Sequence, residues 1–149
     1  MDIKWLAQNT YSLTKKTLRD WGDIFRLALP IASFFLALFL KSDILALKCA
    51  ISIGIVVVLT SALKFLFNFT KLGRRPNGGS DSMPSGHTSS AFQGASFILF
   101  GVNFWIGIPA MLFACLTGYS RVWAGVHWWR DVIVGAFLGM LVSFLCIIW

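Results

Sequence analysis

Apolar residues in this chain come in long blocks, broken by a few short polar stretches. Five apolar runs cover residues 24–40, 44–67, 87–100, 104–119 and 131–149. Blocks of that length without strand-like alternation predict membrane-crossing helices. Several fall short of the ~20 residues a crossing needs, a deficit that tilt and interfacial Trp compensate. Pro30 is predicted to kink the first run, and residues 41–43 form a tight turn to the second. A polar segment, 71–85, holds Gly73, Pro76, Gly78, Gly79 and Pro84 and interrupts the pattern. Ser90 with Gly94, and Gly135 with Gly139, set small residues four apart, a spacing that lets helices approach closely.

Residues 1–23 follow another period. At about 100° per residue, Ile3, Leu6, Ala7, Thr10, Leu13, Leu18 and Trp21 gather on one side. Lys4, Gln8, Ser12, Lys15, Lys16 and Arg19 gather on the other, with Trp5 and Tyr11 at the boundary. This predicts an amphipathic helix in the headgroup region, its cations toward anionic lipid; the alternative is a solvated helix packed on the rest of the chain. The charged stretch is too long for a cleavable signal peptide. The expected fold is all-α: an integral membrane helical bundle of about five transmembrane helices (24–149), preceded by an N-terminal amphipathic interfacial helix (1–23).

Composition agrees with that reading. Of 149 residues, 57% are hydrophobic, 15% aromatic and only 13% charged, and mean hydropathy is +0.75. A chain this short cannot hide so much apolar surface inside a soluble globule. Thirteen Lys and Arg against six acids, all Asp, leave a net charge of +7. The excess suits anionic headgroups or phosphorylated substrates, and no long soluble basic face remains for nucleic acid. Cys49, Cys115 and Cys146 lie in apolar runs without metal or redox spacing, as small buried hydrophobes do.

Ionisable groups inside a membrane domain are functional suspects. Beyond the head and first turn they form three islands. These are Lys71-Leu72-Gly73-Arg74-Arg75-Pro76, then Pro84-Ser85-Gly86-His87, then Ser120-Arg121 with His127 and Asp131. With five crossings, all three meet at one membrane rim. Arg75 and Arg121 can fork onto phosphoryl oxygens. Ser85 and Gly86 precede a helix whose first N–H groups form an anion seat. His127 and Asp131, four apart, can share a helical face, so that Asp131 fixes the tautomer of a nucleophilic imidazole. His87 is then available as general acid. Taken singly, each island has a plainer reading: positive-inside anchors for Arg74 and Arg75, a helix cap for Ser85, an interfacial aromatic cluster around His127, and a dipole charge for Asp131. Interfacial anchoring alone does not require both histidines to share a rim with two arginines and an Asp. A metal site of two His and one Asp is the weaker rival beside so many cations.

On these residues the sequence resembles the type-2 phosphatidic acid phosphatase superfamily, membrane lipid phosphatases related to bacterial vanadium haloperoxidases. The family pattern K-x6-R-P, P-S-G-H, S-R-x5-H-x3-D has its second part intact as Pro84-Ser85-Gly86-His87. Its third part is intact as Ser120, Arg121, His127 and Asp131. In the first part Arg75-Pro76 fits, but the expected Lys is Asn68. Lys64 and Lys71 flank it, and Lys71, one turn from Arg75, is expected to substitute. The resemblance implies a phosphohistidine on His127, oriented by Asp131, with His87 protonating the leaving group. It implies phosphoryl contacts from Arg75, Arg121, Ser85 and the Gly86 amide, and neither metal nor cofactor. The implied substrate is a lipid monophosphate or diphosphate: polyprenyl diphosphate, phosphatidylglycerophosphate, phosphatidic acid or lipid A 1-phosphate. Phosphotransfer to another lipid, or non-catalytic binding of anionic lipid, are the alternatives. The expected location is the bacterial cytoplasmic (inner) membrane. Counting Lys and Arg puts the motif rim on the cytoplasmic side, whereas the bacterial relatives imply the periplasmic side.

Overall fold

The computed structural model describes residues 3–149, with side chains from Gln8 onward. The expected orientations of Ile3, Lys4, Trp5, Leu6 and Ala7 fall outside the described side chains. Five α-helices make up the bundle: α1 (Ile3–Leu40), α2 (Asp43–Asn68), α3 (Gly86–Phe97), α4 (Phe104–Trp123) and α5 (Trp129–Ile148). A short 3₁₀ turn at Lys71–Gly73 lies between α2 and α3, and α3 ends in a π-helical turn at Ile98–Val102.

The N-terminal division differs from the sequence expectation. Residues 3–23 do not form a helix of their own: α1 runs unbroken from Ile3 to Leu40 and through Pro30. Its N-terminal half packs on the bundle, with Tyr11 5.9 Å from Trp123, ring centre to ring centre. The period had marked the polar face correctly, but that face turns toward the end of α4, where Ser12, Lys15, Lys16 and Arg19 line a small cleft with Ala124. On the other face Leu13 and Trp21 are exposed. Gly22 stands at the boundary between the head and the first apolar run, yet α1 continues through it.

Three helices, over Gln8–Leu40, Asp43–Asn68 and Trp129–Ile148, are long and apolar enough to cross a membrane by length and composition. The remaining two bury their polar side chains against protein. α3 touches each of the other four helices. Together with its π turn it spans only about 25 Å at 1.5 Å per residue, and no large apolar side chain of α3 is exposed. Thr88, Ser89, Gln93 and Ser96 are buried there instead. Gln93 Nε2 donates to Ser52 Oγ at 2.7 Å, and Ser143 Oγ donates to the Gln93 carbonyl at 2.8 Å. The apolar surfaces of Phe39, Val58, Phe65, Leu112, Ile133 and Phe137 face outward, as lipid-facing residues do.

Close crossings hold α3 in the centre. A Cβ on Gly94 would lie 2.3 Å from the Leu29 carbonyl carbon, and one on Gly139 2.3 Å from the Ser89 carbonyl oxygen. Two of the small residues singled out by their spacing therefore sit where backbones touch. The result fixes the N-terminal end of α3 beside the ends of α2 and α4 and the start of α5.

Candidate active site

At that end α4 stops on a glycine. Gly125 has φ +72°, a left-handed conformation natural to glycine just past a helix end. The chain then folds back, and the N–H groups of Val126 and His127 both point at the Arg121 carbonyl, at 3.1 and 3.3 Å. This reversal, rather than a shared helical turn, places His127, because it lies ahead of α5 while Asp131 lies inside it. The expectation that one helical turn carries both is corrected, yet the residues still meet. His127 Nδ1 is 3.5 Å from Asp131 Oδ2, slightly beyond a hydrogen bond.

Asp131 is completely buried. Its Oδ2 accepts from the Trp128 N–H at 2.9 Å and from the Ser82 hydroxyl. The same carboxylate thus caps α5 and ties the polar segment to it. Trp128 is more than an interfacial ring, since its Nε1–H donates to the Arg74 carbonyl at 2.9 Å.

Arg26, Lys64, Arg75, Gly86, His87, Arg121, Val126 and His127 surround a cavity of about 270 Å³. The three islands therefore do converge, and Arg75, Gly86, His87, Arg121 and His127 are brought together as their spacing implied. A Cβ at Gly86 would meet only Thr60 and Lys64, at 3.5 and 3.8 Å, so packing of the chain does not itself demand glycine there. Ser85 is fully buried and does not line the cavity; its hydroxyl accepts from Thr88 Oγ1 at 2.9 Å and its N–H donates to the Asp131 carbonyl at 2.9 Å. Burial pushes the His127 imidazole down to about 4, with the positive charges of Lys64 and Arg75 adding to that and Asp131 opposing it. The ring is accordingly neutral near pH 7, with Nε2 available as a nucleophile when Nδ1 carries the proton.

Lys71 is not part of this arrangement. It sits exposed on the 3₁₀ turn, while Lys64, one turn back along α2 from Asn68, lines the cavity. The helical face drawn through Lys64, Asn68 and Lys71 fails because α2 ends at Asn68. Asn68 itself holds the loop, accepting from the Asp81 N–H at 3.3 Å, and Lys64 Nζ donates to the Asp81 carbonyl. Sequence reasoning also passed over Arg26, Asp23 and Ser82. The first two were legible as ionisable residues opening an apolar run; Ser82 carries no signal that sets it apart from the other serines of its segment. Among the described residues, no three His, Cys, Asp or Glu side chains converge as a metal site would require.

The model of the PAP2 superfamily matches residues 45–149. The chain belongs to that family. Its fold resembles the crystal structure of Aquifex aeolicus LpxE, with a TM-score of 0.76 and 25% identity over 92% of this chain and 87% of that one. It also resembles the PAP2-type phosphatidylglycerolphosphate phosphatase of Bacillus subtilis, with a TM-score of 0.67 and 26% identity over 98% of this chain and 77% of that one. Among relatives by sequence, an undecaprenyl-diphosphatase of Sulfolobus acidocaldarius is 33% identical over 80% of this chain and 61% of its own length. A lipid A 1-phosphatase of Porphyromonas gingivalis is 37% identical over 52% of this chain and 18% of its own. The chain thus spans about three fifths of the first of these relatives and less of the second. This PAP2 protein is an integral membrane protein whose polar cavity opens among apolar helices.

Proposed function

We propose that this PAP2 protein is a metal-independent lipid phosphatase acting through a phosphohistidine on His127. The observation that carries this is the meeting of both histidines with Arg26, Lys64, Arg75 and Arg121 in one cavity. Four cations around a small cavity suit a multiply charged phosphoryl group. They suit a diphosphate better still, and together with the undecaprenyl-diphosphatase relative this favours a polyprenyl diphosphate whose tail stays in the bilayer.

In the first half-reaction His127 Nε2 attacks phosphorus. The N–P bond forms as the bond to the leaving oxygen breaks, and that oxygen takes a proton from His87. Asp131 stabilises the charge that His127 gains. Arg75, Arg121, Lys64 and the N–H groups opening α3 hold the equatorial oxygens, where charge builds in the transition state. In the second half His87 takes a proton from water, the water oxygen attacks phosphorus, and the electron pair of the N–P bond returns to His127. The excess of cations on the motif rim favours a cytoplasmic-facing site in a bacterial inner membrane, which a reporter fused at the N-terminus tests.

The deciding assay is phosphate release by purified protein in detergent across a panel of lipid monophosphates and diphosphates, with chelator present. Release from at least one lipid, with an acid-labile phosphoenzyme, is the expected result. Appearance of a phosphorylated acceptor lipid in place of inorganic phosphate would make the protein a phosphotransferase. Silence across the whole panel would sink the enzymatic reading.

A further inference from the structure

His87 needs a support of its own. Arg26 of α1, Lys64 of α2, Arg75 of the polar loop and Arg121 of α4 share its cavity, as does His127, so an imidazolium at position 87 faces four like charges. The carboxylate that meets it comes from α1, outside residues 45–149 that the family model matches. Asp23 Oδ1 lies 2.7 Å from His87 Nε2 and accepts from Arg121 Nη1 at 2.9 Å. Asp23 is not among the residues that line the cavity.

We infer that Asp23 is a positioning residue for the leaving-group acid: its carboxylate holds His87 through Nε2–H and leaves Nδ1 to carry the transferred proton. This rests on the phosphatase reading above. The approach of α1 is built for the contact. A Cβ at Gly22 would lie 2.3 Å from Ser120 Oγ and 2.4 Å from Arg121 Nη2, so α1 comes this close because residue 22 has no side chain. Arg121 Nη2 also donates to the Arg19 carbonyl, and Nε donates to Ser120 Oγ at 3.1 Å. A guanidinium has five N–H groups; these three contacts leave others for phosphoryl oxygens, so Asp23 orients Arg121 without taking up its grip. In the first half-reaction Nδ1–H gives its proton to the departing oxygen as that oxygen receives the P–O electron pair. In the second half Nδ1 recovers a proton from the attacking water. Asp23 remains a carboxylate throughout.

The test is a double-mutant cycle on the full chain in detergent, using whichever panel lipid the unaltered protein hydrolyses. Asp23→Asn is expected to lower kcat by about 10- to 100-fold, with KM little changed. In a His87→Ala background the same substitution should cost clearly less, because the ring it serves is gone and only its hold on Arg121 remains to be lost. Asp23→Glu, which keeps the charge one methylene away, should recover part of the loss and covers the case in which Asp23→Asn folds poorly. An aryl phosphate, whose leaving group needs little protonation, should show a smaller loss than a lipid monophosphate. Equal losses in both backgrounds would reduce Asp23 to a structural contact, and faster turnover without it would make it a competitor for the phosphate seat; either overturns the inference while leaving the phosphatase intact. Failure of the unaltered protein on every lipid would instead remove the phosphatase reading, and this inference with it.

Discussion

Each histidine of the cavity has a carboxylate partner, and the two pairs are built differently. Asp131 has 0% of its side chain exposed and is fixed from two sides, by the Trp128 N–H and the Ser82 hydroxyl. Asp23 has 47% exposed and belongs to a helix that reaches the site from outside the family-matched region. The buried pair is local, four residues apart; the open pair joins residues 64 apart. On the proposed mechanism the difference has a reason: a nucleophile must be held at one distance from phosphorus, whereas an acid exchanges protons with leaving groups and water.

Substitutions separate the two pairs, beginning where the effect is greatest. His127→Ala should lower turnover by at least about 10³-fold and abolish the phosphoenzyme, read by phosphate release and by trapping in an alkaline quench. Asp131→Asn should cost about 10²- to 10⁴-fold by disturbing the tautomer. Asp131→Ala should in addition lower stability by about 1–3 kcal/mol, because it strands the Ser82 hydroxyl and the Trp128 N–H; thermal melts in detergent measure this. The pH profile probes the same pair. Because burial and cations hold His127 at about 4, the proposed nucleophile stays neutral down to that pH. The His127 limb of kcat/KM should therefore fall about tenfold per unit only below about pH 4, whereas a limb at the ordinary histidine value of 6.5 would contradict the geometry. Lys64→Ala should raise KM about tenfold and shift that limb upward. Lys71→Ala should change kcat/KM by less than about 2-fold, the size expected of an exposed side chain off the site; a loss matching that of Lys64→Ala would restore it as a phosphate contact.

Much of the site was legible because its residues stand at fixed spacing inside apolar surroundings. Arg121, His127 and Asp131 lie within eleven positions, and interfacial anchoring alone did not account for their occurring together. The route by which they meet was not legible. Four-residue spacing suggested a helical turn, while the structure uses the reversal at Gly125, since α4 runs on to Trp123 and α5 starts at Trp129. Lys71 was misplaced for a related reason: helical periodicity was extended past Asn68, where the helix stops. Asp23 was set aside with the charges of the amphipathic head and Arg26 was passed over, although their place at the start of an apolar run was itself a signal.

Hydrophobic blocks alone determined that this chain is a helical membrane protein, because backbone polar groups in lipid must be satisfied within each segment and the helix does so locally. The order of apolar blocks and polar islands likewise pointed to two histidines, two arginines and an aspartate at one rim. Which lysine faces the cavity, and which carboxylate meets His87, only the tertiary structure decided. Both depend on where helices end and how closely they cross, and contacts between residues 64 or 98 positions apart leave no periodic trace in the chain.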